Sequence, residues 1–304
     1  MSAPPRAHTG LTVGIIGTGR VGTVLAAALA TAGHKVVAVT PTRQLDRLRA
    51  LLPQTPILPA AEVITTGPDL VLVAVPDDSL SGLLGDLAAD IPHWPAEQVV
   101  AHTSGAHGLA VLAPVTARGA RPLALHPAMT FTGTPDDLSR LPGIAYGVTA
   151  PAELRPLVTR LVTDLGGHPE WLAESARPLY HAALAHGANH LVTLVNEATD
   201  RLRDTGVRQP ERVLAPLLRA ALENTLRHGD AALTGPVVRG DTGTVADHLR
   251  MLASTAPESV PAYQALARRT ADRAVAAGRL SPEVAQSLHA VLAEPDPLAR
   301  RAAA

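Results

Sequence analysis

Apolar residues gather in short unbroken runs through the first half of the chain and in helical stripes through the second. Residues 11–16 (LTVGII), 35–40 (KVVAVT), 69–75 (DLVLVAV), 98–102 (QVVAH) and 121–125 (RPLAL) are such runs. Apolar side chains there occupy successive rather than alternate positions, which predicts strands buried on both faces. Helices are expected between them, at 20–32, about 42–51, 79–90 and about 107–116. Gly33 stops the first helix, and Pro76 ends the third strand. This alternation predicts an α/β fold, a doubly wound parallel sheet covered on both sides. Residues 143–148 (GIAYGV) and a helix at 151–165 extend the same layer.

The pattern changes after about residue 173. Helical stretches are expected at 174–203, 210–228, 241–253, 257–277 and 281–293, with no strand-like runs among them. Gly206, Gly229 and Gly278 stand at helix ends, and Pro210, Pro257 and Pro282 at helix starts. The expected organisation is therefore one α/β domain over 11–172 and a mostly α-helical second domain over 173–293. No internal repeat or heptad run is visible. Residues 1–10 read as a leader without fixed structure and 295–304 as a frayed basic tail. The longest apolar stretches are too short to cross a bilayer. No signal-peptide core precedes them, so a cytoplasmic protein that binds no membrane is expected.

The most specific local feature is Gly17-Thr18-Gly19-Arg20-Val21-Gly22, which follows the first strand and opens the first helix. This is the context a dinucleotide fingerprint requires. Gly17 permits the tight turn, Gly19 lets a pyrophosphate approach the backbone, and Gly22 lets helix pack on strand. The helix start offers free N–H groups and positive potential to phosphates. The end of the second strand then selects the nucleotide. An NAD site places a carboxylate there for the ribose 2′-hydroxyl. This chain has Thr40-Pro41-Thr42-Arg43 instead. Arg43, helped by Thr40 or Thr42, can pair with a 2′-phosphate, so NADP(H) is the expected cofactor. Val75 and Pro76 are expected to wall the same crevice. Asp77 and Asp78 show no partner cluster for a metal, and no metal site is expected.

Ligands of an open α/β sheet sit beyond the carboxyl ends of its strands. Two such ends are polar: His102-Thr103-Ser104-Gly105 and His126-Pro127-Ala128-Met129. Ser104 either donates to a substrate carboxylate, with Gly105 giving it room, or caps the next helix. His126 either serves as proton donor or oxyanion ligand, or braces the loop before Pro127. His102 is expected to point into a packed strand end. On the first long helix of the second half, positions 181, 185, 189, 192 and 196 share a face carrying His181, Asn189 and Asn196. His181 is a candidate general acid, since imidazole titrates near neutrality, and Asn189 a candidate orienting group. A polar interhelical network is the alternative. Arg239 can clamp a carboxylate with Asp241 steadying it, or the pair can be a capped helix start beside a solvated arginine.

Composition narrows the chemistry. None of the 304 residues is cysteine, which excludes disulfides, thiolate metal sites and a thiol nucleophile. The 26 basic and 27 acidic residues leave a net charge of −1, so no nucleic-acid partner is expected. One Phe, three Tyr and two Trp are too few for base- or sugar-stacking platforms. The 46% hydrophobic content supplies two cores. The Ala/Leu-rich helices of the second half suit burial against a second copy, a homodimer.

Taken together, the glycine turn, Val75-Pro76-Asp77, His102-Thr103-Ser104-Gly105, His126-Pro127, Tyr180-His181 with Asn189, and residues 235–241 (GPVVRGD) resemble a known family. Its members join a Rossmann-like domain to a C-terminal domain of unknown function 2520, and the resemblance spans nearly all of 11–293. Wider relatives are 6-phosphogluconate-dehydrogenase-like reductases, including β-hydroxyacid dehydrogenases, pyrroline-5-carboxylate reductase and ketopantoate reductase. The resemblance implies NADPH-dependent reduction of a small carboxylate-bearing 2-oxo acid, with ketopantoate as one candidate. A β-hydroxyacid dehydrogenase, an imine reductase and a non-catalytic NADP-sensing or scaffold protein are the alternatives. Related hydroxyacid dehydrogenases carry a lysine four residues before the asparagine. Here that position is Ala185, and the second half has no lysine at all. The acid is then a histidine, His181 first and His126 second, or a group held by the substrate. The 126–129 segment is also similar to the His-Pro-Met loop of prephenate dehydrogenases, with an added alanine.

Overall fold

The structure is a computed structural model and describes residues 10–293. The expected leader, apart from Gly10, and the C-terminal tail lie outside the described residues. The chain passes from one compact unit to another between Ala188 and Asn189.

The first unit is built on seven strands: β1 (Thr12–Ile16), β2 (Lys35–Val39), β3 (Leu70–Val73), β4 (Val99–His102), β5 (Arg121–Pro127), β6 (Ala145–Thr149) and β7 (His168–Trp171). Their order is β2-β1-β3-β4-β5-β6-β7. Strands β1 to β5 are parallel, as the apolar runs predict. Alternate residues of β3 show why every position is apolar. Leu70 and Leu72 enter one core, and Val71 and Val73 enter the core on the opposite face. Helices α1 (Arg20–Thr31), α2 (Leu45–Leu51), α3 (Ala60–Thr65), α4 (Asp77–Asp90), α5 (Ala113–Thr116), α6 (Asp136–Arg140) and α7 (Arg155–Asp164) connect the strands. The chain leaves β1 for β2 on one side and returns to β3 on the other. The glycine turn after β1 thus opens at the topological switch point.

The sheet departs from the all-parallel expectation at its far edge. Strand β6 runs antiparallel to β5, and β7 pairs parallel with β6. The reason is the connection. Between β5 and β6 the only helix is the five-residue α6, too short for the crossover a parallel neighbour demands. Residues 128–144 carry no helix long enough to cover the sheet, and the chain runs back beside β5, with Ala128 N–H donating to the Ala145 carbonyl. Strand β7 (HPEW) was not expected from the sequence, because a polar edge strand containing proline has no apolar run to mark it.

A 3₁₀ turn, Glu174–Ala176, leads into α8 (Arg177–Leu184), which belongs to the first unit. Arg177 anchors it. The side chain is fully buried, yet it meets no carboxylate in an ion pair among the described residues. Its N–H groups donate instead to the carbonyls of Ser104, Ala124 and Gly147 and to the Thr149 hydroxyl, at 2.7–3.1 Å. One guanidinium thus joins β5, β6 and the segment after β4 to α8. Glu174 adds a second tie, accepting from the N–H groups of Leu109 and Ala110.

The second unit contains α9 (His190–Asp204), α10 (Pro210–His228), α11 (Pro236–Arg239), α12 (Thr242–Thr255), α13 (Val260–Ala276) and α14 (Pro282–Leu292). Val237, Val245, Ala267, Ala271, Leu288 and Leu292 form its core. The stretch expected as one helix over 174–203 is interrupted by a π turn, Ala185–Asn189, between α8 and α9. That wide turn inserts the equivalent of one residue, so the stripe 181–185–189–192–196 does not continue as one face. Among the described residues no helix is long and apolar enough to cross a membrane.

Replacing Arg177 with methionine should cost about 3 kcal/mol of stability, because buried carbonyls lose their donors. Replacement with lysine, which keeps three donors, should cost less. Urea denaturation followed by the fluorescence of Trp94 and Trp171 measures both. Equal stability of the methionine variant and the parent would refute the anchoring role.

Candidate functional site

The three glycines of the turn have different reasons to be glycine. Gly17 has φ +93°, and a Cβ there would stand 2.5 Å from the Ala74 carbonyl oxygen. At Gly22 it would stand 2.0 Å from the Gly17 carbonyl oxygen. Both positions are closed by the protein itself, and Val75 packs beside Gly17. At Gly19 a Cβ would meet nothing within 4 Å. The space over Gly19 is open, at the start of α1, where no side chain caps the helix and no acid sits in the first turn. Free N–H groups and the positive end of the helix face that space. Val21 is half-buried at the helix start, and exposed Pro76 stands at the start of α4. No side-chain cap is made there, with Asp77 and Asp78 in the first turn of α4.

The end of β2 braces this turn. Gly17 N–H donates to Thr40 Oγ1 at 2.9 Å, and the Thr18 hydroxyl donates to the Thr40 carbonyl at 3.0 Å. The Thr42 hydroxyl donates to the Thr18 carbonyl at 3.2 Å, so its proton serves the turn rather than a phosphate. Thr40 accepts through its oxygen and retains its own proton. Arg43 and Arg20 are exposed. Arg47 reaches the same neighbourhood: the side chains of Arg20 and Arg47 both lie about 3 Å from where a Cβ on Gly133 would stand. The buried Asp137 carboxylate shapes that loop by accepting from the N–H groups of Thr132 and Gly133. None of Arg20, Arg43 and Arg47 forms an ion pair among the described residues. Nothing in the sequence pattern singles out Arg47. Only the fold of the 129–137 loop brings it beside Arg20.

The second cluster lies at the carboxyl ends of β4 and β5. His102 is buried; its Nε2–H donates to the Gly108 carbonyl at 2.8 Å, and its Nδ1 accepts from Ser104 N–H. Ser104 is buried too, and its Oγ accepts from His107 N–H, closing the turn at 104–107 rather than capping a helix. His126 and His181 stand with ring centroids 6.2 Å apart, nearly edge to face. Gly105 lies beneath both. A Cβ there would be 2.8 Å from His181 Cδ2 and 3.1 Å from His126 Nε2. The room at Gly105 thus accommodates two imidazoles. Tyr180 completes the cluster, with its hydroxyl 3.0 Å from His126 Nδ1. Tyr180 carried no role in the sequence beyond its place in a motif, since nothing in the spacing shows that it reaches β5.

Burial pushes the His126 imidazole down to about 4, with the charges of His181 and Arg177 acting in the same direction. Burial likewise takes His102 down to about 4, against the pull of its Gly108 hydrogen bond. Both rings are therefore neutral near pH 7. Burial raises the Tyr180 phenol, which keeps its proton.

The remaining candidates lie in the second unit. Asn189 ends the π turn and is exposed. Arg239 is 62% exposed in its side chain and pairs with Asp241 at 2.9 Å. Asp241 occupies the N-cap position of α12, but its carboxylate goes to Arg239 and makes no capping hydrogen bond. Among the described residues no group of three or more His, Asp or Glu could hold a metal ion.

The depressed histidines make stability depend on pH. Between about 4 and the unperturbed 6.5, an unfolded chain binds protons that the folded one refuses. Stability is then full above the upper value, falls as pH drops through the window, and levels off below it. His102 alone should account for about 3 kcal/mol of that loss. Urea midpoints at the two ends of the window test this, and His102→Gln should flatten the dependence. An unchanged slope in that variant would contradict it.

Residues 3–127 match the model of a Rossmann-like domain, and residues 144–270 that of the domain of unknown function DUF2520. No curated protein matches this chain in sequence. Among solved structures, a candidate NADP oxidoreductase from Bacteroides fragilis is 21% identical, with a TM-score of 0.74 over 87% of this chain and 99% of that one. A reductive aminase from Aspergillus terreus, in complex with NADPH and ethyl levulinate, is 19% identical, with a TM-score of 0.63 over 92% and 99%. Plasmodium falciparum pyrroline carboxylate reductase with NADP bound is 12% identical, with a TM-score of 0.57 over 94% and 100%. At these identities the likeness is one of fold. The chain is thus a Rossmann-like domain followed by a domain of the DUF2520 family.

Proposed function

We propose that the protein is an NADPH-dependent reductase of a small 2-oxo acid, with ketopantoate the first substrate to try. The observation that carries the cofactor is the open space over Gly19 at the uncapped start of α1, beside three arginines without ion-pair partners. Backbone N–H groups of α1 would hold the pyrophosphate, and Arg43, with Arg20 and Arg47, a 2′-phosphate. The fold likeness to proteins crystallised with NADP or NADPH supports the same cofactor. When bound, NADPH supplies a hydride to a carbonyl carbon. The carbonyl oxygen then gains negative charge and needs donors.

The cluster over Gly105 offers those donors. His181 is the candidate acid that gives the oxygen its proton. His126, neutral near pH 7, is suited to donating a hydrogen bond to that oxygen rather than a full proton. Arg177 lies buried beneath the cluster with only neutral hydrogen-bond partners, and its charge favours a forming alkoxide there. Asp77 and Glu174 add negative charge to the same surroundings.

We also propose that the working form is a homodimer. Helices α9 and α10 bury no apolar side chain other than Pro210, while Leu191, Val192, Val213, Leu217, Leu222 and Leu226 are exposed. So much contiguous apolar surface on two neighbouring helices suits burial against a second copy.

NADPH absorbance with purified protein tests the reaction, using ketopantoate, other 2-oxo acids and cyclic imines. Turnover with an oxo acid is expected. Turnover with imines alone would replace the substrate class, and NADPH binding without turnover would leave the sensing alternative. Arg43→Ala should raise KM for NADPH about tenfold to a hundredfold and barely change that for NADH. Equal effects on both would remove Arg43 from the 2′-phosphate site. Light scattering should give twice the chain mass, and the double variant Leu217→Glu, Leu222→Glu should give the monomer. A monomeric parent would overturn the assembly.

A further inference from the structure

Three features of the first unit converge on one phenol. Strand β5 presents His126 at its carboxyl end, and α8 lays Tyr180 across β6 at Gly147. A Cβ on Gly147 would stand 2.7 Å from the Tyr180 hydroxyl oxygen and 2.8 Å from Cζ. Only bare backbone lets the phenol lie there and reach His126 Nδ1 at 3.0 Å, with the two rings edge to face at 87°. Arg177, one helical turn earlier, ties the same helix to the same strand through the Gly147 carbonyl. The phenol is therefore held from two sides rather than resting where a flexible side chain happens to fall.

The direction of the Tyr180–His126 hydrogen bond follows from what each partner can do. A neutral imidazole has one N–H and one bare nitrogen. A phenol both donates and accepts. If Tyr180 instead accepted from Nδ1–H, its own proton and the bare Nε2 would both lack partners among the described residues. Donation from the phenol to Nδ1 pairs the phenol proton with the bare ring nitrogen and leaves only the Nε2 N–H for a ligand. The imidazole proton then sits on Nε2, the nitrogen 3.1 Å from the position of a Cβ on Gly105. His126 makes no other hydrogen bond among the described residues.

We propose that Tyr180 is the positioning residue of this site: its hydroxyl donates to Nδ1 of His126 and fixes the imidazole as the Nε2–H tautomer, with that N–H turned to the space over Gly105. The tautomer stands on the hydrogen-bond geometry and on the neutrality of the buried ring. Its use, a neutral N–H donor for a carbonyl oxygen that becomes an alkoxide, rests on the reductase function proposed above. A neutral imidazole is a weak proton source but a good donor to a developing oxyanion, and a fixed tautomer removes the need to reorganise during the reaction.

Nitrogen-15 NMR of the labelled protein without substrate tests the tautomer directly. The His126 ring signals are identified by their loss in His126→Gln. The parent should show a bare Nδ1 and a protonated Nε2, and Tyr180→Phe should move both signals toward the averaged position of exchanging tautomers. A protonated Nδ1 in the parent, or signals unchanged in Tyr180→Phe, would overturn the proposal. The parent measurement needs no variant at position 180, so a misfolded phenylalanine variant would not rescue it. With an active substrate in hand, Tyr180→Phe should lower kcat about tenfold while KM for NADPH stays the same. Absence of turnover in the parent would sink the reductase function and leave the tautomer result standing. A correct tautomer with undiminished kcat in Tyr180→Phe would sink the positioning role alone.

Discussion

The Arg177 guanidinium is a full charge taken out of water with no ion-pair partner among the described residues, and the first unit is arranged around that constraint. Such a group persists only if its N–H donors are satisfied. The carbonyls of Ser104, Ala124 and Gly147 and one hydroxyl take four of its five N–H groups here. Meeting that demand ties β5, β6 and the segment after β4 together and pins α8 across them. It also sets the local electrostatics. The buried positive charge joins desolvation and His181 in keeping His126 neutral. Packing and the ionisation of His126 therefore both depend on one buried side chain.

The glycine turn obeys a different logic, that of space. Gly17 and Gly22 are glycines because the protein's own backbone fills the place of a side chain. Gly19 is a glycine although nothing in the chain competes for its space. Its bare backbone is explained by a ligand that approaches closely, and the uncapped helix start and unpaired arginines define that ligand as an anion. The threonines after β2, which look from the sequence like phosphate donors, hold the turn in shape. Rigidity of the turn and freedom of the arginines are divided between different residues.

Much of the fold was legible in the order of residues, for physical reasons that also mark where legibility ends. Strands β1 to β5 stand out because burial on both faces demands apolar residues at every position. Strand β7 does not, because an edge strand has no such demand. The antiparallel entry of β6 was hidden, since the apolar run of a strand carries no direction. The helical stripe through His181 and Asn189 assumed regular geometry, and the π turn at Ala185–Asn189 broke it. In the site, His126, His181, Ser104 and Gly105 were found by their place after strands or on a helix face. Tyr180, Arg177 and Arg47 were not, since their roles depend on partners 54, 73 and 86 positions away.

Sequence alone determined what is local: the glycine turn after a buried strand, the missing acid at the end of the second strand, the absence of cysteine, and the change from strand–helix alternation to helices. Each of these is set by sterics or periodicity within a few residues. Tertiary structure decided what is long-range: the antiparallel edge, the convergence of Gly105, His126, Tyr180 and His181, and the burial that holds two imidazoles neutral. Ionisation and hydrogen-bond direction depend on solvent exclusion and on neighbours from distant strands, and the order of residues does not state those distances.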